Sequence, residues 1–170
     1  KQYNFDAISL MPTNLYGPKD NYHPQNSHVM AALIKKFYEA VKNSEASVTC
    51  WGSGEPMREF MHVDDLANAA LFCLEYWDPL AKNAPLDNNK NPLYFLNVGT
   101  GLEISIKNLA EKIARYSGFY GNIKWDLSKP DGTLKKKLSI ENIKNLGWNA
   151  EIGLDQGLKK TIFEYKLLNS

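Results

Sequence analysis

His28 follows Ser27 at the end of a loop rich in Asn and Pro and opens a run with helical spacing. An imidazole titrates near neutrality, so at a junction facing a cleft it would serve as a general acid or base. A lone histidine serves equally well on a surface or as a cap, and His23 has less in its favour. Arg58 comes shortly after Trp51, beyond the turn Gly54-Glu55-Pro56. A guanidinium forks onto phosphate oxygens and an indole covers a base or sugar face, which suits a nucleotide; a solvated Arg and a core Trp are the plain alternative. His62, Asp64 and Asp65 are metal-ligand types, but no second His-rich or Cys-rich segment supplies further ligands, and both aspartates suit a helix N-terminus. Two G-x-G turns, Gly99-Thr100-Gly101 and Gly52-Ser53-Gly54, imitate a phosphate-binding loop. The third glycine position is Ile104 in one and Met57 in the other, so a tight turn is the simpler reading. Lys129-Pro130-Asp131-Gly132-Thr133, followed by Lys135, Lys136 and Lys137, is a loop able to close over an anion, or a solvated charged turn.

These residues are positioned by alternating strands and helices. Tyr3 to Met11 mixes aromatic and branched residues, stops at Pro12 and predicts a buried strand. Residues 14–26 predict a surface loop. Asn26 or Ser27 is expected to cap a helix whose apolar stripe is Val29, Leu33, Phe37, Ala40 and Val41. Ser47 to Trp51 and Glu59 to Val63 are extended. Asp64 is expected to cap a helix to about Trp77, with Leu66, Ala70, Cys73, Leu74 and Trp77 on one face. Residues 78–92 carry three prolines and no period. Leu93 to Val98 is a strand, Ser105 opens a helix that turns Ile106, Leu109, Ala110, Ile113 and Ala114 inward, and Ile123 to Asp126 is another strand. Ile140, Ile143 and Leu146 mark a short helix; Leu154, Leu158, Thr161, Ile162 and Tyr165 mark the last. The alternation implies an α/β fold with a mainly parallel sheet.

Composition narrows the classes. Hydrophobic residues are 44% and charged residues 23%, the balance of a folded globular chain rather than of disorder. Twenty Lys and Arg against 19 Asp and Glu leave a formal charge of +1, so no global field favours nucleic acid or an anionic membrane. No run reaches the roughly 20 apolar residues of a membrane span, and nothing near Lys1 has the pattern of a signal peptide. The two cysteines, Cys50 and Cys73, are too few for a disulfide framework and suit a reducing cytoplasm. The chain starts at Lys1 and runs straight into a strand-like segment, as a fragment of something longer would.

Taken together, MPTNLYGP (Met11 to Pro18), DNYHP (Asp20 to Pro24), NSHV (Asn26 to Val29), WGSG (Trp51 to Gly54), PMREF (Pro56 to Phe60), HVDD (His62 to Asp65), NVGTG (Asn97 to Gly101) and KPDGT (Lys129 to Thr133) resemble the GDP-L-fucose synthases. These extended short-chain dehydrogenases carry out NADPH-dependent 3,5-epimerisation and 4-reduction of GDP-4-keto-6-deoxy-D-mannose. The resemblance spans nearly the whole chain, and the PTNLYG…SH and WGSG…PMR pieces are its most specific parts. It implies the carboxyl-terminal part of such an enzyme: the last Rossmann strand or strands plus an α/β substrate-binding lobe. Residues 1–16 would end the NADP-binding domain, residues 17–170 would form the lobe, and elements at about 59–77 would return to the first domain.

The resemblance further implies that Pro12, Thr13, Asn14, Leu15 and His28 line the nicotinamide end of NADP(H). His28 would be one of two acid/base groups that move protons at C3 and C5 of the 4-keto sugar. Lys36, Trp51 and Arg58 would contact the GDP-sugar, Arg58 at the diphosphate, with Asp131 joining them and no metal. Lys36 stands where the family has Arg, which keeps the charge and loses the planar fork. The family's glycine motif, its Ser and Tyr-x-x-x-Lys set and its acid/base cysteine are expected upstream of Lys1. Tyr116, followed four residues on by Tyr120, and Tyr165, followed by Asn169, offer no substitute. The chain alone is therefore expected not to turn over. The family is typically homodimeric and cytoplasmic, without nucleic-acid or membrane partners. Two alternatives are another nucleotide-sugar epimerase or dehydratase, which needs no acid/base at the Asn26-Ser27-His28 junction, and a non-catalytic GDP-sugar-binding module.

Overall fold

Short parallel pairings between strands distant in sequence organise the chain. The computed structural model describes residues 7–24 and 26–169. In order, its elements are β1 (Ser9–Pro12), β2 (Asn14–Tyr16), α1 (Val29–Lys42), β3 (Ser47–Trp51), β4 (Met57–His62), α2 (Val63–Tyr76), β5 (Phe95–Val98), β6 (Glu103–Ser105), α3 (Ile106–Ser117), β7 (Asn122–Asp126), β8 (Lys135–Lys136), α4 (Glu141–Asn145) and α5 (Leu154–Asn169). β1 runs parallel to β5, β2 to β4, β3 to β7 and β8 to β4; only β6 meets β4 antiparallel among the described strands. The α/β alternation and the mainly parallel pairing agree with expectation, although the strands form three small sheets rather than one.

Several local expectations are corrected. Of the predicted strand Tyr3 to Met11, residues 3–6 lie outside the described residues. The remainder is β1, which includes Pro12 and is largely exposed rather than buried. Its described strand partner is β5 alone, whose Phe95, opposite Ser9, is itself exposed. The N-cap of α1 is His28, not Asn26 or Ser27, and its side chain makes no capping bond. The buried stripe of that helix is Met30, Ala31, Leu33, Ile34, Phe37 and Ala40, which leaves Val29 and Val41 exposed. The N-cap of α2 is His62, whose Nδ1 accepts from the Asp64 amide at 3.2 Å. That helix buries Asp65, Ala69 and Cys73 and turns Leu74 outward. Ser105 caps α3 as its type predicts, its hydroxyl accepting from the Asn108 amide, and Gly118 in the left-handed region ends the helix.

Two cores result. One packs Ile34 and Phe37 of α1, Leu109 and Ile113 of α3, and Leu158 and Ile162 of α5 against β3. The other packs Met61, Ala69, Cys73 and Trp77 against Leu96 and Val98 of β5 and Ile143 and Trp148 around α4. Asp65 ties α2 to the segment leading into α5: its two oxygens accept from the Glu151 and Ile152 amides, each at 3.1 Å.

His62 makes stability pH-dependent. It is buried, and since Nδ1 accepts, the neutral ring carries its proton on Nε2, edge-on to Tyr16 with ring centroids 5.4 Å apart. Burial lowers its pKa below the usual imidazole 6.5, with Asp64 and Asp65 opposing and Lys160 reinforcing the shift. The unfolded chain therefore takes up this proton first, so the contribution is complete above the unfolded pKa and lost as pH falls below it. The urea midpoint should fall between pH 7.5 and 5.5. The slope should flatten in His62→Asn, which keeps an acceptor for the Asp64 amide; parallel profiles would assign the dependence elsewhere.

Candidate active site

A chain of adjoining cavities collects the residues singled out by sequence. The first, of about 630 Å³, is lined by Pro12, Thr13, Asn14 and Leu15 at the junction of β1 and β2, by His28 and Val29 at the start of α1, and by Arg58 of β4. A volume of that size lies within the ~300–1,000 Å³ of small-molecule sites. Asp20, Met30, Phe60, Lys136 and Leu138 complete its wall. The second, of about 180 Å³, shares Val29 and Arg58 and adds Trp51, Pro130, Asp131 and Gly132. The third, of about 290 Å³, shares Val29 and Trp51 and adds Lys36, Cys50 and Trp125. A larger cavity of about 780 Å³, between α3 and the segment before α5, shares Phe60 with the first but holds none of Pro12 to Leu15, His28, Lys36, Trp51, Arg58 or Asp131.

His28 is exposed and, since it forms no capping bond, its ring is not committed to the helix it begins. Trp51 is 67% exposed, so it is no core residue. The ammonium groups of Lys36 and Lys129 sit 5.4 and 5.5 Å from its ring centre, within cation–π range. Lys36 also donates to the Thr49 carbonyl at 3.0 Å. Arg58 is half-buried and donates through Nη1 to its neighbour's carbonyl, Met57 O, at 2.7 Å. A guanidinium has five N–H donors, so others stay available to a ligand.

Both G-x-G turns hold carboxyl groups of the chain itself. In Gly99-Thr100-Gly101, the Thr100 and Gly101 amides donate to Glu59 Oε1 at 2.7 and 2.8 Å. A Cβ on Gly99 would stand 2.2 Å from that oxygen, so glycine is required by the carboxyl's approach. In Gly52-Ser53-Gly54, the Ser53 amide and hydroxyl donate to the two oxygens of Asp131 at 2.8 and 2.6 Å. These bonds hold the Asp131 carboxyl below the usual carboxylate range and clasp the loop over Trp51. The turns are therefore built as carboxyl cradles, and the carboxyls are the chain's own. His62, Asp64 and Asp65 serve as a cap, an ion-pair partner of Lys160 at 2.8 Å and a loop tie. Among the described residues no group of three or more His, Cys, Asp or Glu is placed to hold a metal ion.

Two features escaped the reading by type and spacing. Lys136 lies opposite Arg58 in the β8–β4 pairing and lines the same cavity, while Lys135 and Lys137 both reach Glu103 Oε2, at 3.3 and 3.9 Å. Side-chain alternation along an extended run would have singled out the middle lysine. The sequence also contains two Tyr-x-x-x-Lys spacings, Tyr38 with Lys42 and Tyr120 with Lys124. The Tyr38 hydroxyl donates to Asn169 O at 2.6 Å, Lys42 lies over the Tyr38 ring, and Tyr120 and Lys124 are exposed. None of the four lines the cavities around Arg58.

The profile of the NAD dependent epimerase/dehydratase family matches residues 1–98. The chain belongs to this family. Its fold is accordingly that of the epimerase/dehydratase proteins. The GDP-L-fucose synthase of Escherichia coli (strain K12) is 48% identical over 161 residues, covering 95% of this chain and 49% of that protein. The structure of a GDP-6-OMe-4-keto-L-xylo-heptose reductase from C. jejuni superposes with a TM-score of 0.84 and 31% identity, over 99% of this chain and 56% of the other. A GDP-L-fucose synthetase from Naegleria fowleri bound to NADP superposes with a TM-score of 0.80 and 28% identity, over 95% and 47%. The chain spans about half the length of the curated relatives it matches.

Proposed function

We propose that the chain forms the GDP-sugar-binding part of a GDP-L-fucose synthase, an enzyme that epimerises GDP-4-keto-6-deoxy-D-mannose at C3 and C5 and reduces it at C4 with NADPH. Residues 1–16 then end the cofactor domain, residues 17–170 form the substrate lobe, and the segment at about 59–77 packs back toward the first. The E. coli relative and the NADP-bound Naegleria structure support this choice over other nucleotide-sugar epimerases. The two free, buried thiols, Cys50 and Cys73, suit a cytoplasmic enzyme.

The observation that carries the reading is that Arg58 is shared by two cavities. On one side lie Pro12 to Leu15 and His28; on the other lie Trp51 and Asp131. A nucleoside diphosphate sugar laid through them would place its sugar near His28, its diphosphate at Arg58 and its base against the indole. Lys36 and Lys129 add positive charge beside that indole, and an apolar slot continues under it. At the other end, Pro12 to Leu15 form a wall whose Thr13 hydroxyl and Asn14 amide are already tied to Glu59 O. That wall is held in place by these bonds, and in this reading the nicotinamide ring lies against it. When bound, the nicotinamide supplies the hydride for C4.

His28 carries the epimerisation in this reading. The C4 ketone acidifies the C–H bonds at C3 and C5, so a base can form an enolate there. Reprotonation from the opposite face inverts the carbon, and a group that holds and releases a proton near neutral pH is needed for it. None of the chain's own side chains is assigned the C4 reduction.

Arg58→Ala should weaken binding of GDP-L-fucose by about 30-fold, the equivalent of ~2 kcal/mol for a lost charged hydrogen-bond set. Isothermal titration of both forms checks it, and equal affinities would remove Arg58 from the site. Binding of the sugar nucleotide with no response to NADPH in the native product would instead favour a binding module.

A further inference from the structure

Glu59 has no part in the chemistry above, yet it is fully buried and lies at the meeting point of three segments. Its Oε1 accepts from the Thr100 and Gly101 amides at 2.7 and 2.8 Å and from the Thr100 hydroxyl at 3.4 Å. Its main-chain carbonyl accepts from Thr13 Oγ1 at 3.2 Å and Asn14 Nδ2 at 2.8 Å. Its Oε2 has no hydrogen-bond partner among the described residues. Burying a carboxyl is costly unless it is hydrogen-bonded, and the bonds to Oε1 are what offset that cost here.

The topology shows what is held. β4 pairs with β6 through Met57, Arg58 and Glu59, then exchanges it for β2 from Phe60 onward. The first segment makes the matching exchange, leaving β5 with the Thr13 amide on Val98 O and joining β4 at Asn14. The chain leaving β5 turns at Gly99–Gly101 to become β6. All three changes of partner converge on Glu59. Neighbouring side chains on a strand point to opposite faces, so Arg58 faces the cavity while Glu59 anchors the strand behind it.

We infer that Glu59 is a positioning residue. It fixes the separation between the Thr13–Asn14 wall and Arg58, so that the cofactor end and the diphosphate end of the site keep one spacing. Glu59→Gln preserves an acceptor for Thr100 and Gly101; Glu59→Ala removes it and leaves only the main-chain carbonyl, on a strand no longer anchored. The role rests on Arg58 being the diphosphate contact.

The test titrates GDP into the chain and its Glu59→Ala, Glu59→Gln and Ile113→Val forms, all kept well below their melting temperatures. Ile113→Val is a control for lost stability in the other core. Glu59→Ala should lose about tenfold in GDP affinity, less than the ~10²-fold of a 1 Å misplacement. Glu59→Gln and Ile113→Val should bind like the parent. In NMR spectra the Asn14 side-chain amide should shift in Glu59→Ala and stay in place in the other two. An Ala form that binds like the control, or an unmoved Asn14 amide, overturns the role alone. A parent chain that does not bind GDP overturns the reading of the site and this role with it.

Discussion

Replacing His28 with Asn in the catalytically complete enzyme should leave sugar-nucleotide affinity unchanged and cut solvent deuterium incorporation at C3 and C5 by about 10²–10⁴-fold, the usual worth of a positioned acid or base. The structure makes this a clean experiment. His28 begins α1 with extended backbone but without a side-chain capping bond, so an amide in its place costs the helix little. The ring borders the cavity that also holds Pro12 to Leu15 and Arg58, and the contacts proposed for the nucleotide lie on other residues. Mass spectrometry of product formed in deuterated water reads the exchange directly. Undiminished label at both carbons would show that another group moves those protons.

The opposite pattern is expected of Phe37→Ala. Phe37 is completely buried on α1, its ring 5.4 Å from that of Phe119, within the core shared by α1, α3, α5 and β3. Removing a buried phenyl ring loses its transfer free energy and leaves a cavity, together about 3–5 kcal/mol. Against a total of roughly 5–15 kcal/mol for an ordinary domain, much of the stability would go. Urea unfolding followed by tryptophan fluorescence measures it. A saturating ligand that binds only the folded form should restore part of the loss, because α1 carries both His28 and Lys36. A change below about 1 kcal/mol would mean that the core closes over the gap far better than such sites usually do. One substitution thus removes chemistry and spares the fold, and the other does the reverse.

Much of the scaffold was legible because its signals are local. The apolar stripe of α3 and the serine that caps it lie within a few turns of chain. The bounds Ser47 to Trp51 of β3 and the inward residues Leu158, Thr161, Ile162 and Tyr165 of α5 were equally legible. The candidate site was legible as a set of types: an imidazole, a guanidinium, an indole and a proline-flanked strand end, joined by a family resemblance. Caps were read less well. Asp64 has the right chemistry for an N-cap, but His62, two residues earlier, accepts from the Asp64 amide, while the Asp64 carboxyl turns to Lys160. Nothing in the spacing of HVDD distinguishes these outcomes, because Lys160 is 96 residues away.

Residue types and short-range periodicity, then, were enough to establish the alternating architecture, the buried faces of α3 and α5 and the inventory of groups able to do chemistry. Tertiary structure alone decided which carboxyl each glycine turn receives and that Trp51 stays on the surface. Those outcomes depend on partners such as Glu59 with Thr100 and Ser53 with Asp131, separated by 41 and 78 residues. A hydrogen bond depends on distance in space, and local propensity carries no information about which remote donor the folded chain will bring within reach.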